Sequence, residues 1–308
     1  MTKNASSLRE AIRPTVFIES EKLKTFLGID LTVASETFQH TGSFKFRAAY
    51  NLALNVPNQE ILTASSGNFG QALAYAAKLL GKKCTVVMPE TSARVKIEAV
   101  RSYGATVDLI DTRKIGRSER VAQLAAEMPD AYIASAYDDP HVIEGNSTLG
   151  EELAAKNFDA VIAPIGGGGL ISGISEGLSR KGSKTQIFGA EPLLGNDAAR
   201  SLRKGELIRN EGEPMTIADG ARTLSLGNLN WEIIRRSVKE IIEVSDEKIA
   251  EAVRLYFSLA NLKCEPTGAL SLGAILENKD KFSSKKICLV VSGGNVDAEV
   301  YRRILAEN

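Results

Sequence analysis

One lysine in this chain, Lys45, stands in a setting that a surface lysine does not need. It lies in ETFQHTGSFKFRAAYN (36–51), behind the small and hydroxyl residues Thr41, Gly42 and Ser43, with Phe44 and Phe46 on either side. Burial among aromatic rings disfavours the ammonium form, so such a lysine can give up its proton and act as a nucleophile or base. The same residues also read as the start of an amphipathic helix with a snorkelling lysine. Lys45 alone does not decide between the two.

Three glycine- and serine-bearing turns supply partners for it. In ASSGNFGQA (64–72), Gly67 and Gly70 let the backbone approach a ligand, and Ser65, Ser66 and Asn68 add donors at the start of a helix that can bind a carboxylate. In IGGGGLISG (165–173), four consecutive glycines, Gly166 to Gly169, cost much chain entropy. A phosphate ringed by amide N–H groups is one reason for them, and a tight turn with close helix packing is the other. The run lacks GxxxxGK[ST] and fits GxGxxG poorly, which argues against the common nucleotide motifs. In VVSGGNVD (290–297), Ser292 ends an apolar run and brings a hydroxyl to the same kind of rim. A lysine, a carboxylate-binding turn, a phosphate cup and a strand-end hydroxyl together suit a phosphorylated aldehyde held as a Schiff base, namely pyridoxal phosphate (PLP).

Other chemistries have less to work with. The chain has 308 residues, with 38 basic and 38 acidic, so no overall charge directs it to nucleic acid or a membrane surface. Cys84, Cys264 and Cys288 are far apart and odd in number, which fits small buried hydrophobes in a reducing cytoplasm rather than a disulfide framework or CxxC zinc site. Only His40 and His141 are present, too few for a histidine-rich metal centre, and both flank polar loops. MTKNASSLREAIRP has no signal-peptide core, and no segment approaches a membrane span.

The elements that must position these residues read as α/β. Apolar runs at 60–65, 84–89, 105–110, 159–165, 186–191 and 286–292 alternate with helical patterns, including one ending at Gly81, one over 93–103 and one near 116–127. Such alternation predicts open, mainly parallel sheets covered on both faces. The stretch 201–223 is less regular and reads as a surface excursion.

At this point the chain resembles the fold-type II PLP enzymes of the serine/threonine dehydratase and serine racemase family. GSFKFRAA around Lys45, SSGNFGQALAYAA from Ser65, GGGGLISG from Gly166, EPTGA from Glu265 and SGGNVD from Ser292 carry the likeness in order over nearly the whole chain. The resemblance implies two domains with the cofactor between them. A small one, 51–140, would close on substrate, and a large one would be built from 1–50 and 141–308. It implies that Lys45 is the Schiff-base lysine and the base at Cα, with Phe44 beside the cofactor. Asn68 would meet the pyridine 3′-oxygen, Gly166, Gly167, Gly168 and Gly169 the phosphate, and Ser292 the ring nitrogen. Glu265 would line the cofactor site. Ser65, Ser66, Gly67, Asn68 and Phe69 would hold the substrate. EPLLGND (191–197) is similar to the family's cation site, with Glu191, Gly195 and Asp197 offering oxygens to Mg²⁺, Ca²⁺ or Mn²⁺; a solvated acidic loop reads the same way. A homodimer is implied as well.

The activity so implied is α,β-elimination from a β-hydroxy amino acid, giving a 2-oxo acid and ammonia. Ser292 in place of an acidic partner makes the ring a modest electron sink, which favours prompt loss of a β-leaving group over transamination. Racemisation is the alternative and would use Ser66 on the opposite face of Cα. A β-replacement synthase is a third enzyme reading, although those more often show TSGNTG at the serine turn. A PLP-binding or nucleotide-binding protein without turnover is the non-enzymatic one. Two departures bear on the substrate: Phe69 stands where the family usually has histidine, and Gly145-Asn146-Ser147-Thr148 where it tends to show GQGT. The sequence shows no C-terminal effector domain, so feedback by isoleucine is not expected.

Overall fold

The computed structural model describes residues 8–92 and 94–306. Residues 1–7, part of the stretch expected to lack a signal segment, and Ala93, expected to open a helix, lie outside the described residues. In chain order the strands are β1 (Val16–Ile18), β2 (Leu31–Ser35), β3 (Glu60–Ala64), β4 (Lys83–Pro89), β5 (Thr106–Ile110), β6 (Tyr132–Ile133), β7 (Ala160–Pro164), β8 (Gln186–Pro192), β9 (Val238–Val244) and β10 (Ile287–Val291). They form a six-stranded sheet, β1-β2-β10-β7-β8-β9, and a four-stranded one, β5-β4-β3-β6. Every neighbouring pair is parallel except β1 with β2. The α/β expectation holds.

Strands β2, β7 and β10 are buried at every position, because helices cover both faces of the larger sheet. Pattern reading finds β7 and β10 but misses β2, and also β1 and β6, which are three and two residues long. It also misses β9, an edge strand whose Lys239 and Glu240 interrupt the apolar run. The excursion expected over 201–223 begins as the end of the helix Asp197–Lys204 and is irregular beyond Gly205, apart from a short 3₁₀ turn at Asp219–Ala221.

The order of the larger sheet is what assembles the site. β10 lies between β2 and β7, with Val291 opposite Ser35 and Leu289 opposite Ile162. Three parallel strands therefore end on one rim, where ligands of open α/β sheets bind. The chain leaving β2 reaches Lys45, that leaving β7 forms the glycine turn, and that leaving β10 begins with Ser292. In the smaller sheet, β3 ends at Ala64 and the serine turn leads into the helix Asn68–Leu80, closed by Gly81 at φ 66°. The helix Lys45–Asn55 packs against both Asn68–Leu80 and Pro140–Ala154. It buries Phe46, Ala49 and Leu52 in the same cluster as Phe69, Leu73 and Val86 of the smaller sheet.

Candidate active site

Lys45 is the first residue of its helix, and its Nζ donates to the carbonyl of Ala136 at 2.7 Å. The Nζ stands 5.0 Å from the centre of the Phe44 ring and 5.6 Å from that of Phe69. Phe46 is not the second ring expected from the sequence. One residue further on turns about 100° around a helix. Phe46 is fully buried on another side, edge-on to His40 and near Tyr50 and Tyr75. Burial pushes the Lys45 amine down to about 8, against the opposing pull of the Glu265 carboxylate.

Asn68 opens the helix that follows the serine turn and reaches across to the larger sheet. Its Nδ2 donates to both Glu265 oxygens, at 2.9 and 3.1 Å. Its Oδ1 accepts from Asn295 Nδ2 at 2.8 Å, and Asn295 also donates to Thr41 O at 2.7 Å. Glu265 is 4% exposed, and burial together with the Asp219 carboxylate pushes its carboxyl up to about 7. Gly42, at φ 74°, leaves room for Asn295, whose Oδ1 would lie 2.5 Å from a Cβ there. Next to it, Ser43 bridges to Gly293 and Phe44 N donates to Ser292 O at 3.0 Å. Ser292 itself is buried.

The glycine turn precedes the helix Gly169–Arg180, which starts without a side-chain cap. Part of its bare backbone answers to packing. A side chain on Gly167 would run into the Tyr137 ring, and Gly168 combines φ 92° with Asn230, Ile234 and Leu226 close by. Gly166 and Gly169 lie under Gly220 and the Tyr137 backbone. Both reasons for the run, close packing and an open helix start, are present together.

The serine turn uses its two serines differently. Ser65 Oγ accepts from the amides of Gly70 and Gly67, at 3.1 and 3.4 Å, and so shapes the turn itself. Ser66 is half-buried, Gly67 is exposed, and Phe69 is 2% exposed with its ring turned toward Lys45. His40 packs against aromatic rings, and the three cysteines are buried.

At the end of β8, the Glu191 carboxylate accepts from the amides of Ala198 and Ala199, at 3.0 and 2.9 Å. Asp197 Oδ1 accepts from Asn210 at 2.8 Å, while its Oδ2 is buried without a partner. Burial pushes Asp197 up to about 6 and Glu191 well above the usual carboxylate range. Gly195 is buried between them in sequence. Among the described residues no three acidic, histidine or cysteine side chains gather as a metal cluster.

Sequence reasoning missed the segment Ser135–Asp138. Ala136 O takes Lys45, the Tyr137 ring lies on Gly167, and Asp138 accepts from the amides of Asn228 and Leu229, both at 3.0 Å. Its signal was the pair Asp139-Pro140, an N-cap and first helical residue for Pro140–Ala154. Asn295 lies in SGGNVD, from which only the serine was given a role, and Asn230 carried no local pattern that could have announced its own.

The fold is an open, mainly parallel α/β architecture with Lys45, the glycine turn and Ser292 gathered at one rim. The family model described as "Pyridoxal-phosphate dependent enzyme" matches residues 8–293, and this chain belongs to that family. It is 36% identical over 298 residues to the beta-hydroxyaspartate dehydratase of Paracoccus denitrificans, covering 95% of this chain and 94% of that one. It is 39% identical over 279 residues to the serine racemase of Schizosaccharomyces pombe, covering 88% and 85%. The fold matches the solved structure of maize serine racemase with a TM-score of 0.89 at 32% identity, covering 97% of this chain and 95% of that one.

Proposed function

We propose that this chain is a PLP-dependent ammonia-lyase that converts a β-hydroxy amino acid of the serine, threonine or 3-hydroxyaspartate type into a 2-oxo acid and ammonia. The observation that carries the reading is the placement of the Lys45 amine. Ala136 O holds it, next to the residue that lies on the glycine turn, and Phe44 N is tied to Ser292 O. The donor set fits the cofactor: an uncapped helix start for a phosphate, the Ser292 hydroxyl for a ring nitrogen, the Asn68 amide for a ring oxygen and an amine of lowered pKa for an aldehyde.

Bound there, PLP would supply the aldehyde that condenses with the substrate amine and the ring that takes up the electron pair left at Cα. Lys45 Nζ then takes the Cα proton. With its pKa near 8, a usable fraction of the amine is unprotonated at neutral pH. The amides at the start of Asn68–Leu80 and the Ser66 hydroxyl hold the substrate carboxylate, and Phe44 and Phe69 shield Nζ from water. The β-hydroxyl departs as water, taking up the proton that Lys45 Nζ removed from Cα. Ser292, a neutral hydroxyl, leaves the ring a modest electron sink and so favours that departure.

The dehydratase relative at 36% identity supports elimination. Racemisation is the second reading, because Ser65 rather than Ser66 supplies the oxygen that caps the turn. The Ser66 hydroxyl is thereby left for the face of Cα opposite Lys45, and the S. pombe racemase is 39% identical. For Glu191, Gly195 and Asp197 we read a structural cation site: one buried, unpartnered carboxylate oxygen fits a hard divalent ion completed by backbone carbonyls and water. Closure of the segment 51–140 on substrate, a homodimer and a cytoplasmic setting complete the reading.

The test offers purified protein with PLP and Mg²⁺ the L and D forms of serine and threonine and the 3-hydroxyaspartate isomers, and measures 2-oxo acid release. Release from at least one supports the lyase. Inversion of serine or aspartate without release would move the assignment to racemase.

A further inference from the structure

Two buried asparagines grip the glycine turn from two different helices. Asn230, in the helix Asn228–Ser237, is 0% exposed; its Nδ2 donates to Gly167 O at 2.8 Å and to Tyr137 O at 3.0 Å. Asn146, in Pro140–Ala154, is 1% exposed, and its Nδ2 donates to Gly169 O at 2.9 Å. Each takes carbonyl oxygens only, so in each the NH₂ group must face the turn. In both, the remaining Oδ1 is buried without a partner. An apolar side chain of similar size would avoid that penalty, so what the site gains from an asparagine is the donor.

The consequence lies in the geometry of the peptide group. A trans peptide is planar, with its C=O and N–H pointing in opposite directions. The Gly167 carbonyl shares its peptide plane with the Gly168 N–H, and the Gly169 carbonyl with the Leu170 N–H. Fixing the two carbonyls against Asn230 and Asn146 fixes the two amides the opposite way. Gly227 N adds a further bond to Gly167 O at 3.1 Å. Among the described residues no backbone carbonyl takes the Gly168 or Leu170 amide. Both stand at the first turn of Gly169–Arg180, where free amides and the helix dipole favour an anion.

We propose that Asn146 and Asn230 are positioning residues that aim the Gly168 and Leu170 amides at the cofactor phosphate. This rests on the reading that the glycine turn takes the phosphate. It gives Asn146, in the departure from GQGT, a task that concerns the cofactor rather than the substrate. The carbonyl grip also joins the turn to the lysine, since the Tyr137 carbonyl held by Asn230 is one residue from Ala136, whose carbonyl holds Lys45 Nζ.

The experiment titrates cofactor-free wild type, Asn230→Leu and Asn146→Leu with PLP and with pyridoxal, which keeps the aldehyde and ring but lacks the phosphate. Binding is read from the absorbance of the lysine adduct. The ³¹P resonance of bound PLP is recorded, and the melting temperature of each cofactor-free protein is taken as a control. Wild type should prefer PLP. Each folded variant should bind PLP about tenfold or more weakly, as expected for slackening a charge-assisted hydrogen bond. Pyridoxal affinity should stay within about twofold, and the ³¹P shift should move. Equal loss for the two ligands, or no loss, in either folded variant would overturn the proposal. If Asn230→Leu does not fold, Asn230→Ser replaces it under the same criteria. Wild type binding pyridoxal as tightly as PLP would instead sink the phosphate reading, and this proposal with it.

Discussion

Glu265 faces the Asn68 amide from a buried position, and its carboxyl is pushed up to about 7 by burial and the Asp219 charge. In the unfolded chain it returns to about 4.3. The folded state therefore holds this proton more tightly, so Glu265 adds stability below the unfolded pKa and loses it as pH rises through about 7. Glu265→Gln cannot titrate. Unfolding of the cofactor-free protein at pH 4 and pH 8 should show the wild type losing ground to the variant by on the order of 3 kcal/mol between the two; a constant difference would contradict the raised pKa. Phe69 is the second test at this scale. Its ring lies 5.6 Å from the Lys45 Nζ, so Phe69→His should change the relative kcat/KM for serine, threonine and 3-hydroxyaspartate, and unchanged ratios would remove it from substrate choice. The buried setting of the Lys45 amine was legible from its flanking residues, but only one of the two rings near it was. Phe44 adjoins it in sequence, whereas Phe69 arrives from another helix, and a contact made by packing leaves no trace in local spacing.

The helix Pro140–Ala154 works as a spacer between the lysine and the glycine turn. A Cβ on Gly145 would run into the Arg47 carbonyl and lie 2.9 Å from Ala48 Cα, so the two helices meet backbone to backbone one turn beyond Lys45. Thr148 accepts from the fully buried Arg47 at 3.0 Å, and Arg47 also pairs with Glu36 and Glu152, both at 2.7 Å. Gly145→Ala should force the helices apart, destabilising the protein by about 1–3 kcal/mol in chemical unfolding. It should also weaken PLP binding by shifting Lys45. A variant with wild-type stability would show that the helices can slide at no cost. The sequence marked Gly145 to Thr148 only as a departure and pointed to substrate. Its contacts are with the lysine helix and the glycine turn, and a motif's partners become visible only once the helices are placed.

At the scale of the whole molecule, polar contacts join the parts built on the two sheets, among them Asp138 with the Asn228 and Leu229 amides and Asn230 with the Tyr137 carbonyl. Besides Asn68 with Glu265 and Asn295, Lys96 pairs with Asp219 at 3.0 Å and Arg117 with Glu213 at 3.5 Å. Both ion pairs join the smaller sheet's helices to the stretch after Gly205, and exposed pairs of this kind contribute about 0.2–1 kcal/mol each. A closing motion of the smaller segment would make and break them. Asp219→Asn should raise KM about two- to fivefold with little change in kcat, and high salt should do the same to the wild type; a fall in kcat at constant KM would place Asp219 in the chemistry instead. The alternation of apolar runs and helices made the α/β class and the rim turns legible. Strand order was not, because β10 enters between β2 and β7 from the far end of the chain. That insertion is what brings the Ser292 carbonyl to the Phe44 amide, one residue before Lys45.

Where PLP attaches is the most direct measurement of the role proposed for Lys45. Protein incubated with PLP is reduced with borohydride, digested and mapped by mass spectrometry, alongside Lys45→Ala. A pyridoxyl adduct is expected on the peptide that carries Lys45, absent from the variant, together with loss of 2-oxo acid release. An adduct on another lysine, or a variant that still releases 2-oxo acid at the wild-type rate, would contradict that role.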